Sequence, residues 1–171
     1  MPATAVWRHV AALPVLIILA LAFSMLAVSP ADAASPADAR QQKSLRERKI
    51  HHGLNVAIRQ KGDPYVYGSD GPNSFDCSGL VQFAYGKAGI RVPRVSGDQA
   101  RYFHRLKSKK NMRKGDLMAF YGSGGIYHVG LWTGRWQNGR RLILHASRSG
   151  TPVKVDPVWT NQWYAATLRH R

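Results

Sequence analysis

The stretch Phe75-Asp76-Cys77-Ser78-Gly79-Leu80-Val81 holds the only cysteine of the 171-residue chain and stands where a loop gives way to a helix. Residues 63–74 are dense in Gly, Pro, Asp and Asn, which is loop composition. Residues 77–87 place Leu80, Val81, Ala84 and Tyr85 on one helical face, and Gly89 follows as a stop. A cysteine in the first turn of such a helix faces free backbone N–H groups and the positive end of the helix dipole, and both favour thiolate. A single cysteine has no partner for an internal disulfide. The commonest fate of a free cysteine is burial as a small apolar side chain, so the case for chemistry rests on what accompanies it.

Two histidines follow at strand-like positions, His128 in Tyr127-His128-Val129-Gly130 and His145 in Leu144-His145-Ala146. A lone cysteine with a histidine elsewhere in the chain is the pattern of a thiol nucleophile and its base. The imidazole takes the thiol proton and later gives it to the leaving amine. A second polar group behind the imidazole fixes its tautomer. His128 and His145 fall on consecutive predicted strands and suit the order base, then orienter. Either histidine alone would read as a satisfied core residue. The histidines lack tight ligand spacing and one cysteine cannot build a structural zinc site, so no metal or other cofactor is expected.

Around this centre the chain divides into three. Arg8 and His9 precede an apolar run over residues 10–28, and Ala31-Asp32-Ala33 supplies a small-x-small cleavage pattern, so residues 1–33 read as a signal peptide and the protein as secreted or wall-associated. The run approaches membrane-spanning length, and an uncleaved N-terminal anchor is the competing reading. Residues 34–43, rich in Ala, Ser and Pro at their start, read as a flexible linker, and 44–171 as one domain. Within it, residues 44–61 carry apolar positions at helical spacing, 93–105 hold a short helix, and short β runs follow at 116–121, 128–133, 141–146, 151–155 and 164–169. Helices first and an antiparallel meander afterwards make an α+β domain.

Charge is lopsided: 25 Lys and Arg against 9 Asp and Glu give a formal net charge of +16. Basic residues crowd residues 105–114 and 135–141. Such a surface concentrates anions, and export points to a bacterial wall polymer rather than nucleic acid. A solvated loop kept soluble by lysines is the plain alternative.

The motifs now resemble a known family. Asp76-Cys77-Ser78-Gly79-Leu80-Val81 is similar to the signature of the NlpC-type papain-like cysteine peptidases, which cut peptidoglycan stem peptides. Pro64-Tyr65-Val66-Tyr67-Gly68, Pro93-Arg94-Val95-Ser96-Gly97-Asp98-Gln99, Gly115-Asp116-Leu117, His128-Val129-Gly130 and Leu144-His145-Ala146 match in order. The resemblance implies a papain-like core, with the nucleophile at a helix N-terminus and helices packed on a mostly antiparallel sheet. It implies Cys77 as nucleophile, His128 as base and acid, and His145 as orienter. Tyr65 would line the site, Asp76 and Ser78 would hold a substrate amine, and Arg94, Ser96 and Gln99 would lie along the cleft. The substrate would be a stem peptide cut between D-γ-glutamate and the diamino acid, by a monomer. Gly68-Ser69 replaces the family's frequent Gly-Gly, and Tyr67 a frequent Trp. Two rivals stand beside this reading: an amidase or acyltransferase on the same fold, and a basic wall-binding module without catalysis.

Overall fold

The computed structural model describes residues 35–170; the expected leader and its cleavage site lie outside them. Three helices, α1 (Pro36–Arg59), α2 (Cys77–Lys87) and α3 (Ser96–Tyr102), precede the sheet strands β1 (His104–Arg105), β2 (Leu117–Gly122), β3 (Gly125–Gln137), β4 (Arg140–His145), β5 (Lys154–Pro157) and β6 (Trp163–Thr167). The six strands form one antiparallel sheet in the order β1-β6-β2-β3-β4-β5. The α+β expectation holds: a meander from β2 to β5, closed at the β2 edge by the returning β6.

The boundaries of α2 agree with the apolar pattern. Helix α1 does not: it begins at Pro36, so most of the expected linker is helical. The cause is local. Ser35 and Asp38 form a reciprocal capping box, with the Asp38 N–H donating to Ser35 Oγ at 3.2 Å and the Ser35 N–H to Asp38 Oδ2 at 3.2 Å. Pro36 sits in the first turn, where its missing N–H costs nothing. These first turns are exposed on all sides, so apolar periodicity carried no trace of them; the helix enters the core only from Ile50 onward.

Strand β2 shows why residues 117–120 are apolar without alternation. Leu117 and Ala119 pack into the core under the helices, together with Leu54, Leu80, Tyr85 and Val129. Met118 and Phe120 point to the other face and pack with Ile143 and Trp163. A strand buried on both faces has no polar alternation to show. Strand β3 extends beyond the expected 128–133 through a register shift between Trp132 and Trp136, and the two-residue β1 gave no signal of its own. Arg169, just past β6, ties the layers together: its guanidinium donates to Glu47 of α1 at 2.6 Å, to the Lys114 carbonyl at 2.8 Å, and to the buried Asp116 carboxylate.

Candidate active site

Cys77 is the first residue of α2, and Asp76 is its N-cap, accepting the Gly79 N–H at 2.7 Å. Gly79 is required here by space rather than by dihedral angle: a Cβ on it would lie 2.1 Å from the Ser69 carbonyl oxygen. The loop before the cysteine therefore lies directly on the helix start, with the Asp76 N–H donating to Ser69 O at 2.8 Å and the Gly68 N–H to Asp76 Oδ2 at 3.0 Å. The Cys77 sulfur is half-buried and is met by the backbone N–H of Val129 on β3, the residue beside His128.

The two histidines are joined. His128 Nε2 and His145 Nδ1 are 2.9 Å apart, and His145 Nε2 lies 3.1 Å from Asp156 Oδ2. Lys154, opposite His145 in the β4–β5 ladder, reaches the same carboxylate oxygen at 3.0 Å. Trp159 covers the pair, with ring centroids 5.5 Å from His145 and 5.6 Å from His128, and itself stacks on Phe120 at 4.6 Å. Asp156 was not singled out from the sequence. It sits two residues beyond Lys154 on a short strand, and only the β4–β5 register turns that spacing into a contact.

The tautomers follow from this chain. A carboxylate only accepts, so His145 Nε2 carries the proton and His145 Nδ1 is left as an acceptor. His128 Nε2 must then donate to it, which leaves His128 Nδ1 as the free lone pair. Burial, then the charge of His145, pushes His128 down to about 3, and burial likewise lowers His145, against the opposing pull of Asp156. Both rings are therefore neutral at physiological pH, as the tautomer assignment needs. Burial opposes ionisation of Asp156, but its bonds to His145 and Lys154 hold it below the usual carboxylate range.

The cysteine departs from expectation. Burial pushes its thiol up, with the Asp76 charge adding to it, and the Val129 and Ser78 hydrogen bonds at the helix start only partly offset this. The resting centre is a thiol beside a neutral imidazole, not a ready-made thiolate. Among the described residues no hydrogen bond joins the sulfur to the imidazole.

The anticipated residues sort into three groups, the second of them joined by the unanticipated Asp156. Tyr65, Asp76, Ser78, Arg94 and Ser96 line the cavity of about 460 Å³ that also holds Cys77. His128, His145 and Asp156 line a neighbouring cavity of about 440 Å³, and Tyr127 borders both. Gln99 lines neither. It is fully buried and braces the cleft from behind, donating through Nε2 to the Ser78 and Pro93 carbonyls at 2.8 Å each. The side chain of Asp76 is also already engaged. Arg94 grips its carboxylate with two bonds of 2.9 and 2.6 Å and adds a third to Ser78 Oγ at 3.0 Å. Burial disfavours the Asp76 anion, but Arg94 and the Gly79 and Gly68 N–H groups outweigh that. A substrate amine at this spot would have to displace an arginine.

Comparison with known proteins identifies the family of the chain. The NlpC/P60 family pattern matches residues 62–171. The peptidoglycan endopeptidase RipB of Mycobacterium tuberculosis is 34% identical over 145 residues, 77% of this chain and 57% of RipB. A probable endopeptidase of Corynebacterium glutamicum is 37% identical over 100 residues, 58% of this chain and 44% of that protein. The chain thus spans roughly half the length of these curated relatives. Among solved structures, RipD of M. tuberculosis, described as a non-catalytic domain adapted to peptidoglycan binding, superposes with a TM-score of 0.58 at 30% identity, covering 70% of this chain and 97% of RipD. Among the described residues no helix is long and apolar enough to cross a membrane. From the loop before the cysteine to the C-terminus the family pattern is continuous, and the chain belongs to the NlpC/P60 family.

Proposed function

We propose that this protein is an exported cysteine endopeptidase that hydrolyses an amide bond in peptidoglycan stem peptides, between D-γ-glutamate and the diamino acid. The observation that carries the reading is the relay His128–His145–Asp156, with the backbone N–H of Val129, next to His128, meeting the sulfur of Cys77 at the start of α2. A module that only binds has no use for a histidine pair held in a single tautomer.

In this mechanism the Cys77 sulfur attacks the amide carbonyl as His128 Nδ1 takes the thiol proton. Because the resting thiol is neutral, ionisation and attack are linked, and the imidazolium that forms is stabilised through His145 by the Asp156 carboxylate. Backbone N–H groups at the start of α2 stabilise the oxyanion, and Tyr65 lines the same cavity as Cys77. The tetrahedral intermediate collapses as His128 donates its proton to the leaving amine, which leaves a thioester on Cys77. Water, deprotonated by His128, then attacks the thioester and releases the free carboxylate and the thiol.

Mass spectrometry of the fragments released from purified muropeptides tests the bond. A disaccharide-dipeptide ending in D-glutamate, with a new amine on the diamino acid, is the expected product pair. A free lactyl carboxylate would mean an amidase, and joined peptides without a new carboxylate would mean a transferase.

A further inference from the structure

Two cavities beyond the histidines continue the cleft. Trp159 borders the cavity that holds His128 and also a second one of about 240 Å³ lined by Trp136, Arg140, Arg141 and Trp163. Trp163 and Asn161 in turn border a third, of about 470 Å³, with Arg105, Lys107 and Lys109. Arginines, lysines and indole rings alternate along this path.

At its middle two cations are held together. Lys109 Nζ sits 4.0 Å over the Trp163 ring and donates to the Asn161 carbonyl at 3.1 Å. The Arg141 guanidinium lies 4.3 Å over Trp136 and 5.7 Å from Trp163, and donates to the Lys109 carbonyl at 3.1 Å. Arg141 Nε is buried without a partner. Among the described residues, no carboxylate lies within ion-pairing distance of either side chain. Burial lowers Arg141, and burial together with the Arg141 charge lowers Lys109. Partly desolvated like charges without a counter-ion are costly in the free protein. An anion placed between them would relieve that cost. Beside them Trp136 and Trp159 leave 54% and 48% of their surfaces in solvent, flat apolar faces of the kind on which the C–H face of a sugar ring stacks.

We infer that this trough binds an acidic polysaccharide, with its sugar rings on Trp136 and Trp159 and a carboxylate between Lys109 and Arg141. The inference rests on the hydrolase reading for its choice of polymer, since a glycan strand on which some lactyl groups carry stem peptides and others are free carboxylates would lay a free carboxylate in the trough as a neighbouring peptide enters the cleft. Positive charge with stacking rings also suits single-stranded nucleic acid. Continuity with the histidine cavity through Trp159 favours the glycan.

The test uses Cys77→Ala protein, so that binding is read without turnover, and peptide-free peptidoglycan glycan strands, which carry a lactyl carboxylate on every second sugar. Affinity should fall with salt. The pair Lys109→Gln, Arg141→Gln should weaken it about tenfold or more, the loss of a charge-assisted hydrogen bond. The exposed pair Trp136→Ala, Arg140→Gln should weaken it as well, and carries the test if the first pair fails to fold. Removing the same charge on α1, with Arg40→Gln and Lys43→Gln, should leave it unchanged. Equal weakening by the α1 pair, no measurable binding, or tighter binding to a single-stranded oligonucleotide would overturn the inference. Failure of the hydrolase reading shows separately, as intact muropeptides after incubation with the wild type.

Discussion

At the scale of single residues, the structure reverses one expectation about Cys77 and adds one residue to its machinery. The helix start does aim N–H groups at the sulfur, yet burial prevails and the thiol is raised rather than lowered. Only thiolate is alkylated, so a raised pKa means slower labelling at neutral pH. Iodoacetamide labelling should therefore climb with pH through a midpoint above that of an ordinary thiol. A midpoint near 6 would mean a preformed thiolate–imidazolium pair. Asp156 acts at one remove, by fixing the proton on His145 Nε2. Asp156→Ala should lower kcat by about tenfold to a hundredfold with KM nearly unchanged. In a His145→Gln background the same change should do little, because an amide sets its own orientation. Steady-state kinetics on all four proteins supply the cycle, and additive losses would reduce Asp156 to a structural role.

At the scale of elements, what the sequence revealed depended on whether a signal was local. The Cys77–Lys87 helix was legible because its apolar face and its closing glycine both lie within one short stretch. The His128–His145 partnership was legible because adjacent strands in a meander are neighbours. Asp156 was not, since its contact depends on the β4–β5 register, and neither was the burial of Gln99, which depends on how α3 packs on α2. The start of α1 was written in the sequence as Ser35-Pro36-Ala37-Asp38, but as a capping signal without an apolar face to confirm it. Gly79 shows the same distinction between pattern and packing. Its replacement by Ala would drive a methyl into the Ser69 carbonyl, forcing the loop over residues 68–70 away from the helix start. Gly79→Ala should cost about 1–3 kcal/mol in urea unfolding and lower turnover through displacement of Asp76. A variant as stable and as active as the parent would show that the loop yields freely.

At the scale of the molecule, helices and sheet divide the work. The loop and α2 present the thiol and its N–H groups, while β3, β4 and β5 present the relay that handles the proton. The two meet where the Val129 N–H touches the sulfur. Among the described residues most basic side chains lie on the outside of this frame, while Lys154 reaches the relay at Asp156. In the proposed mechanism everything depends on Cys77 performing the chemistry. The most direct measurement is turnover of one purified muropeptide by the wild type and by Cys77→Ala, with unfolding curves to show that both are folded. The expected result is cleavage by the wild type and none detectable by the variant at equal stability. Cleavage by Cys77→Ala within about tenfold of the wild type would contradict it, because the sulfur would then not be the nucleophile.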